Sequence, residues 1–377
     1  MRRKSRMKSM AFIVLILFIL AGGAAGWFLS RPMFGRLPRG ERLRRVEASA
    51  NYRNGEFVNR EPKPFMAEGA GPLRLGWDFL FKKKEHSRPP LPLPTARTPF
   101  SSLAPEEDVL LWLGHSSLYM HFGGKRFLVD PNFTSYASPF TWRTYSFDGT
   151  DVYTVADAPE VEYLLITHDH FDHLNYDTIK AVEDKVGKVV CGLGVGEHLE
   201  YWGVPAEKII EVDWDESVEL DGVTLHALAT HHFSGRTLWK RNPTLWVSFA
   251  LEARGRRVFL GGDSGYGSHF AAMGKRFGGF DLVLLENGQY DPNWRHNHMT
   301  PEEAFQAARE MGAKRLLPIH AGRFVLSNHS WDDPYVRIAR AAEGQDEVEL
   351  LTPKIGEPVF LDGRGQDFGR WWEGIGG

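Results

Sequence analysis

Thr167-His168-Asp169-His170-Phe171-Asp172-His173 is the stretch that most narrows what this chain can become. Three imidazoles and two carboxylates occupy seven positions, directly after the apolar run Tyr163-Leu164-Leu165-Ile166. Such a run reads as a buried strand, which puts the cluster on the loop where that strand ends. Imidazole nitrogen and carboxylate oxygen are ligand types of zinc and similar borderline metals. Alternating His168 and His170 can present two nitrogens to one ion, while Asp172 and His173 face a neighbouring position. A polar surface loop with chance histidines is the competing reading. With 15 His in 377 residues, so dense a run is a poor accident.

A single cysteine, Cys191 in the apolar run Val189-Val190-Cys191, excludes an internal disulfide framework and any thiolate-rich zinc site. Any metal must therefore be held by His and Asp. Hydrophobic residues at 42% and charged residues at 25% fit a globular chain with a sizeable core, as one large or two modest domains. The net charge of −3 is uneven: Arg2, Arg3, Lys4, Arg6 and Lys8 put +5 in the first 30 residues and leave −8 in the remainder. That remainder has no global basic field, so nucleic acid is not an expected partner.

The same five cations precede twenty uncharged, largely apolar residues, Met10 to Leu29. At 1.5 Å per residue they match a hydrocarbon core of ~30 Å. The expectation is a membrane anchor with its cationic flank in the cytoplasm and the main body on the other side, the periplasmic face in a bacterium. A secreted protein, after signal-peptide cleavage near Ala21-Gly22-Gly23-Ala24-Ala25-Gly26, is the alternative. No cysteine follows the apolar stretch, which excludes a lipid-modified bacterial amino terminus.

Four segments are expected: the anchor over 1–30, an extension wrapped on the core over 31–104, a main domain over 105–362 and a tail over 363–377. The extension has little strand periodicity and ends in the proline-rich Arg88-Pro89-Pro90-Leu91-Pro92-Leu93-Pro94. Within it, Gly76-Trp77-Asp78-Phe79-Leu80-Phe81-Lys82-Lys83-Lys84 reads either as a lipid-headgroup patch or as a short helix with a solvated basic end. From residue 109 the pattern predicts strands over 109–113, 117–121, 126–129, 163–166, 188–191, 223–228, 245–251, 258–260, 282–285 and 316–319. Gly123-Gly124 marks a hairpin turn. Helices are predicted over 176–183, 196–202, 268–277, 301–311 and 334–342, with Thr300 capping the fourth. This is an α/β pattern of two sheets with helices outside, and it carries no repeat at the level of motifs.

Further polar residues also follow apolar runs: Asp130 after Phe127-Leu128-Val129, Asp263 after Val258-Phe259-Leu260-Gly261-Gly262, His320 after Leu316-Leu317-Pro318-Ile319, and His231-His232 after Leu225-His226-Ala227-Leu228-Ala229-Thr230. Strand ends carrying His or Asp on one rim make a shared mouth, where ligand sites form. This ordered set resembles the metallo-β-lactamase superfamily over residues 105 to 362. The resemblance implies its αββα sandwich, two β-sheets with helices on the outer faces, and two zinc ions; iron or manganese suits the same ligand types. It implies His168, His170 and His232 at the first ion, with His231 as the alternative to His232. Asp172, His173 and His320 belong to the second. Asp263 bridges both, and Asp130 supports the ligands from behind.

Trp112-Leu113-Gly114-His115-Ser116-Ser117, Gly262-Asp263-Ser264-Gly265-Tyr266, Asn297-His298-Met299-Thr300-Pro301 and Gly55-Glu56-Phe57-Val58-Asn59 are similar to the branch containing the phospholipase D that hydrolyses N-acylphosphatidylethanolamine. What this implies is a membrane-associated zinc phosphodiesterase acting on a phospholipid by a metal-bridging hydroxide. Asp172 and His298 are the candidate catalytic groups, His298 steadying the phosphoryl charge or protonating the leaving group, with His296 the weaker candidate. His115 and Tyr266 are candidates for support or for the pocket wall, as are Gln289, Tyr290 and His329. Arg236 and Arg323 either meet a substrate phosphate or form ordinary ion pairs. A lactonase or another carbonyl-ester or amide hydrolase is the alternative chemistry for the same metals.

Overall fold

The structure is a computed structural model and describes all residues except 1, 68, 70, 72–74, 78–80, 82–85, 238, 376 and 377. Its framework is two seven-stranded sheets packed face to face. The first runs β16(Pro358–Phe360), β3(Val109–Trp112), β4(Leu118–Phe122), β5(Lys125–Val129), β6(Val161–Ile166), β7(Val186–Gly192) and β8(Ile209–Val212). The second runs β9(Ser217–Glu219), β10(Thr224–Leu228), β11(Ser248–Ala253), β12(Arg256–Leu260), β13(Leu282–Glu286), β14(Arg315–Ile319) and β15(Glu349–Leu350). Each sheet has three antiparallel pairings followed by three parallel ones. The molecule is thus built of two similar halves, a likeness of topology that the motifs do not carry.

Why the central strands read as continuous apolar runs is visible in β6. Tyr163 and Leu165 face the core between the sheets, while Leu164 and Ile166 face an outer layer. A strand covered on both faces has no polar side to alternate with. The outer layer over the first sheet includes α3(Tyr176–Val182) and α4(Gly196–Tyr201), seated through Ile179, Val182 and Leu199. Over the second lie α5(His269–Phe277), α6(Pro301–Glu310) and α7(Asp333–Ala342), through Phe270, Phe305 and Ile338. These are the four layers of the αββα sandwich. Thr300 caps α6 with Glu303 in a reciprocal box, as its sequence predicts. The Gly123-Gly124 turn between β4 and β5 has φ of 62° and 80°, the left-handed geometry of a tight hairpin.

Parallel register levels the strand ends. Val129 lies opposite Leu165 and Ile166 opposite Cys191, so Asp130 and Thr167 emerge side by side. In the second sheet Leu260 pairs with Leu284 and Glu286 with Ile319, which brings Asp263, Glu286 and His320 to the facing rim.

Three expectations need correction. The strand predicted over 245–251 begins at Ser248, because Leu245 and Val247 donate across to Leu193 and Thr167 of the other half, at 2.8 and 2.9 Å. The short strands β8, β9, β15 and β16 were not predicted; each has only two to four residues, too few for a period to register. Within the extension, α2(Gly40–Ala48) and the hairpin β1(Tyr52–Arg53)–β2(Glu56–Phe57) are regular, and Val46 and Phe57 enter the central core. Arg42 of α2 ties this extension to Glu200 and Glu211. At the other end Trp372 is buried against Tyr335, with ring centroids 5.4 Å apart. The amino-terminal segment forms α1(Arg2–Leu29), of which Phe12–Leu29 is long and apolar enough to cross a membrane.

Candidate metal centre and substrate cavity

Donors from both sheets converge at the levelled strand ends. His168, His170, His232 and Asp263 each offer one atom within 4.8 Å of the others, and so do His115, Asp172, His173 and His320. Asp263 stands between the groups. Its Oδ2 lies 3.8 Å from His168 Nε2 and 3.6 Å from His232 Nε2. Its Oδ1 lies 3.3 Å from His173 Nε2 and 3.1 Å from His320 Nδ1. One carboxylate therefore presents an oxygen to each cluster, and residues as far apart in the chain as His115 and His320 have been gathered about it.

Protonation favours ligation at three imidazoles, whereas at His173 burial is outweighed by Asp263, Asp172 and Asp130, which hold its pKa well above the usual histidine range. Burial, together with the neighbouring imidazoles, holds His168, His232 and His320 well below the usual histidine range, so each keeps a neutral ring with a lone pair. Burial opposes charge on Asp172 as well, but His173 and His115 outweigh it and keep the carboxylate ionised. Burial pushes Asp263 up, against the pull of His173. A cation is the partner that would keep Asp263 ionised.

Two orphaned atoms test the fit to a metal pair. His173 Nε2 and Asp263 Oδ1 are buried, face the second cluster and stand 3.3 Å from each other without a well-formed hydrogen bond to any group. Buried polar atoms left without a good hydrogen bond are costly, and a cation between these two would satisfy both. Imidazoles and carboxylates without thiolates suit zinc, iron or manganese. The residues present fit a binuclear metal site.

Behind the donors the support is specific. Asp130 accepts from His173 Nδ1 at 2.8 Å, from Thr167 Oγ1 at 2.6 Å and from the Thr167 amide at 2.8 Å. This turns His173 Nε2 outward. Ser116 Oγ lies 2.9 Å from His320 Nδ1. His115 Nε2 sits 2.8 Å from Asp172 Oδ2 and its ring lies against His320, so it stands among the donors themselves. His115, Asp130 and His320 all hold positive φ, 53°, 40° and 64°, which costs about 1–3 kcal/mol each and clusters at working sites.

Above the donors opens a cavity of about 380 Å³. His170, Asp172, Asp263, His298 and His320 contribute to its polar lining; Phe65, Met66, Leu75, Phe233, Trp294 and Leu326 supply apolar wall. Phe65, Met66 and Leu75 come from the extension. Glu286, which sequence reasoning missed, is fully buried and meets His298 Nδ1 at 2.5 Å, leaving Nε2 to face a substrate. Burial drives Glu286 well above the carboxylate range, against bonds from the Met299 and Ser264 amides. It was legible in principle: it ends the apolar run Leu282-Val283-Leu284-Leu285, as Asp263 and His320 follow theirs.

Other expected wall residues lie elsewhere. Tyr266 gives its hydroxyl to Glu310 on α6 at 2.6 Å and does not line the cavity. Tyr290 bonds Asp333 instead, and His329 accepts from the Gln289 amide at 2.8 Å, while Gln289 itself is a wall residue. His296 is half-buried and outside the lining. His231 points away from the donors, into a separate hollow beside His269. Arg236 is buried outside the cavity and directs its guanidinium to the carbonyls of Met33, Asp169 and Leu174. Arg323 likewise holds Asn132, Thr134 and Asp151. Of the lipid-patch motif, Asp78, Phe79, Leu80 and the three lysines lie outside the described residues; Trp77 and Phe81 are exposed, with centroids 4.4 Å apart. A larger hollow of about 940 Å³ lies by Phe100, Tyr119 and Arg126, but its Arg97 and Arg126 are paired with Asp157 and Glu162 and it contains none of the donors.

Residues 125–321 match the family model described as a beta-lactamase superfamily domain. An uncharacterized protein of Mycobacterium tuberculosis is 36% identical over 330 residues, 86% of this chain and 88% of that protein. The N-acyl-phosphatidylethanolamine-hydrolyzing phospholipase D 1 of Caenorhabditis elegans is 25% identical over 346 residues, 82% of this chain and 94% of that one. The solved structure of CmlA, a diiron β-hydroxylase from Streptomyces venezuelae, is similar at a TM-score of 0.51 and 20% identity, over 68% of this chain and 55% of that chain. That likeness is one of fold.

Proposed function

Because the chain belongs to the metallo-β-lactamase superfamily and carries a binuclear His/Asp site of that fold, a metal-dependent hydrolase, we propose that it is a membrane-associated phosphodiesterase that cleaves a phospholipid. The reaction is of the phospholipase D type, on N-acylphosphatidylethanolamine or a close relative. The observation that carries this reading is the cavity: a floor of metal donors under a wall of phenylalanine, methionine, leucine and tryptophan. A soluble phosphate ester has no use for that wall, whereas an acyl chain gains about 0.8 kcal/mol for each methylene it buries. The nematode relative, similar along nearly its whole length, supports the same substrate class.

His168, His170 and His232 would hold one ion and His115, Asp172, His173 and His320 would stand around the other, with Asp263 between. Bound there, the two ions supply Lewis acidity and a nucleophile at neutral pH. The chain's own groups do the rest. His298, oriented by Glu286, meets the phosphoryl group or the leaving oxygen through Nε2. Asp172, at the cavity floor and tied to His115, is placed to accept a proton. The apolar wall excludes water from all but the floor. Along α1, the molecule is held to the membrane that contains its substrate.

Full-length protein, metal-loaded and analysed for metal content, should convert N-acylphosphatidylethanolamine in mixed micelles to N-acylethanolamine and phosphatidic acid, both identified by mass spectrometry. Dominant turnover of an acyl-homoserine lactone, with bis-p-nitrophenyl phosphate and the phospholipid inert, would replace this reading by a carbonyl-ester hydrolase.

A further inference from the structure

Three large rings outside the metal centre are exposed at the end of α1 and on the loop that its last turn packs against. Trp27, Phe140 and Trp142 are 69%, 38% and 62% exposed. Phe28, at the end of α1, packs on Phe140 with centroids 5.9 Å apart, and Phe140 meets Trp142 edge-on at 5.6 Å. The loop that carries the pair is braced: the Ala137 amide donates to Thr144 O at 3.0 Å, and the Ser138 and Thr144 hydroxyls lie 3.0 Å apart. These rings are therefore presented outward by ordered backbone. Adjacent exposed aromatics of this kind mark an interaction surface.

What they face follows from α1. None of its apolar window Phe12–Leu29 is buried in the molecule. Immediately beyond, the chain is clamped to the metal-binding loop with almost no slack. Trp202 Nε1 donates to Pro32 O at 2.7 Å, Arg236 to Met33 O at 2.7 Å, and the Arg36 amide to His198 Nδ1 at 3.0 Å. Phe34 is buried edge-on against Phe171, inside the His-rich motif, and Arg236 holds Asp169 O of the same motif. A helix that crosses a bilayer and ends at residue 29 thus delivers Phe140 and Trp142 to the level at which it leaves the hydrocarbon. That level is where tryptophan is enriched in membrane proteins.

We propose that Trp27, Phe140 and Trp142 form a foot embedded in the headgroup–acyl boundary of the bilayer that α1 crosses. The foot holds the metal-loop side of the molecule against that surface, so lipid is taken from the membrane in which the protein sits. This rests on α1 being a retained span, and the test separates the two claims.

Full-length Trp142→Cys, Phe18→Cys and Gln345→Cys proteins are labelled with a polarity-sensitive fluorophore and reconstituted in phosphatidylcholine vesicles containing doxyl-labelled lipid. Cys191 is buried and stays unlabelled. Gln345 precedes β15, at the sheet end opposite the donors. The expected result is quenching at 142 by lipid labelled near the headgroup, quenching at 18 by lipid labelled near the chain end, and none at 345. Quenching at 18 with none at 142 overturns the foot alone; absence at both removes the span and the foot with it. Shielding at 142 by a second copy of the chain, without lipid quenching, also overturns it. A Phe140→Ser/Trp142→Ser variant should lose roughly tenfold or more of its turnover of vesicle-embedded phospholipid, as misplacement costs rate, while hydrolysing bis-p-nitrophenyl phosphate normally. Equal turnover of vesicle lipid would overturn the foot.

Discussion

His298 is the side chain whose role depends most on a neighbour. Glu286 fixes its Nδ1, and without that bond the ring is free to turn away from the cavity. His298→Ala should keep both metals, measured by elemental analysis, and lose about 10²–10⁴-fold in kcat on a phosphodiester. Glu286→Gln, which keeps the shape, should lose about 10–100-fold, the size seen when a partner behind a working group is removed. Full activity in His298→Ala would take it out of the chemistry. Asp130 acts one step further back, by steering His173. Asp130→Asn should weaken metal binding by about 10–100-fold in a chelator competition, and unchanged affinity would make it a residue of the fold alone. At this scale the donors were legible because strand ends collect them in a recognisable order. The choice between His231 and His232 was not: adjacent residues on irregular backbone have no fixed alternation, and the two rings go to opposite sides of the chain. The roles of Tyr266 and Arg236 stayed open for a related reason, since a hydroxyl or a guanidinium is equally at home on Glu310 or on backbone carbonyls as on a substrate.

Loops at the rim work as elements, and one close approach decides their spacing. A Cβ on Gly265 would come 1.7 Å from His296 O, so the loop after β12 and the loop carrying His298 touch backbone to backbone. Gly265→Ala should cost about 1–3 kcal/mol in urea unfolding and reduce kcat by displacing His298. A variant with wild-type stability and rate would mean that the loops yield. The central strands and all five helices beyond residue 105 were legible because continuous or periodic apolar positions mark them. Short edge strands were not, and neither was α2, whose Arg42 packs by charge against Glu200 and Glu211 from far along the chain. Ion pairing of that kind leaves no period in the sequence.

For the whole molecule, stability should fall on mild acidification. His269 is half-buried beside Ser264, and its pKa is pushed down from 6.5 to about 3, by desolvation first and then by Lys63 and His231. Between those values the unfolded chain binds a proton that the folded protein refuses. The stabilising contribution is complete above about pH 6.5 and declines by about 1.4 kcal/mol per pH unit as pH falls towards 3. His269→Phe should lack that slope, so the difference between the two proteins' urea midpoints should change steadily with pH from 7 to 5. Parallel lines would mean that the ring is not neutral in the folded state.

Residue order was enough to settle the chemistry that the chain can support and the layers it folds into. A run of imidazoles after a buried strand, one cysteine and period-two or continuous apolar segments are local facts, written in neighbouring positions. Proximity in space settled the rest: Asp263 facing both donor groups, His115 standing among them, Glu286 behind His298, and an extension closing the cavity with Phe65, Met66 and Leu75. Those relations join segments separated by tens to hundreds of residues, and they come from sheet register and side-chain direction, which no short stretch of the chain encodes.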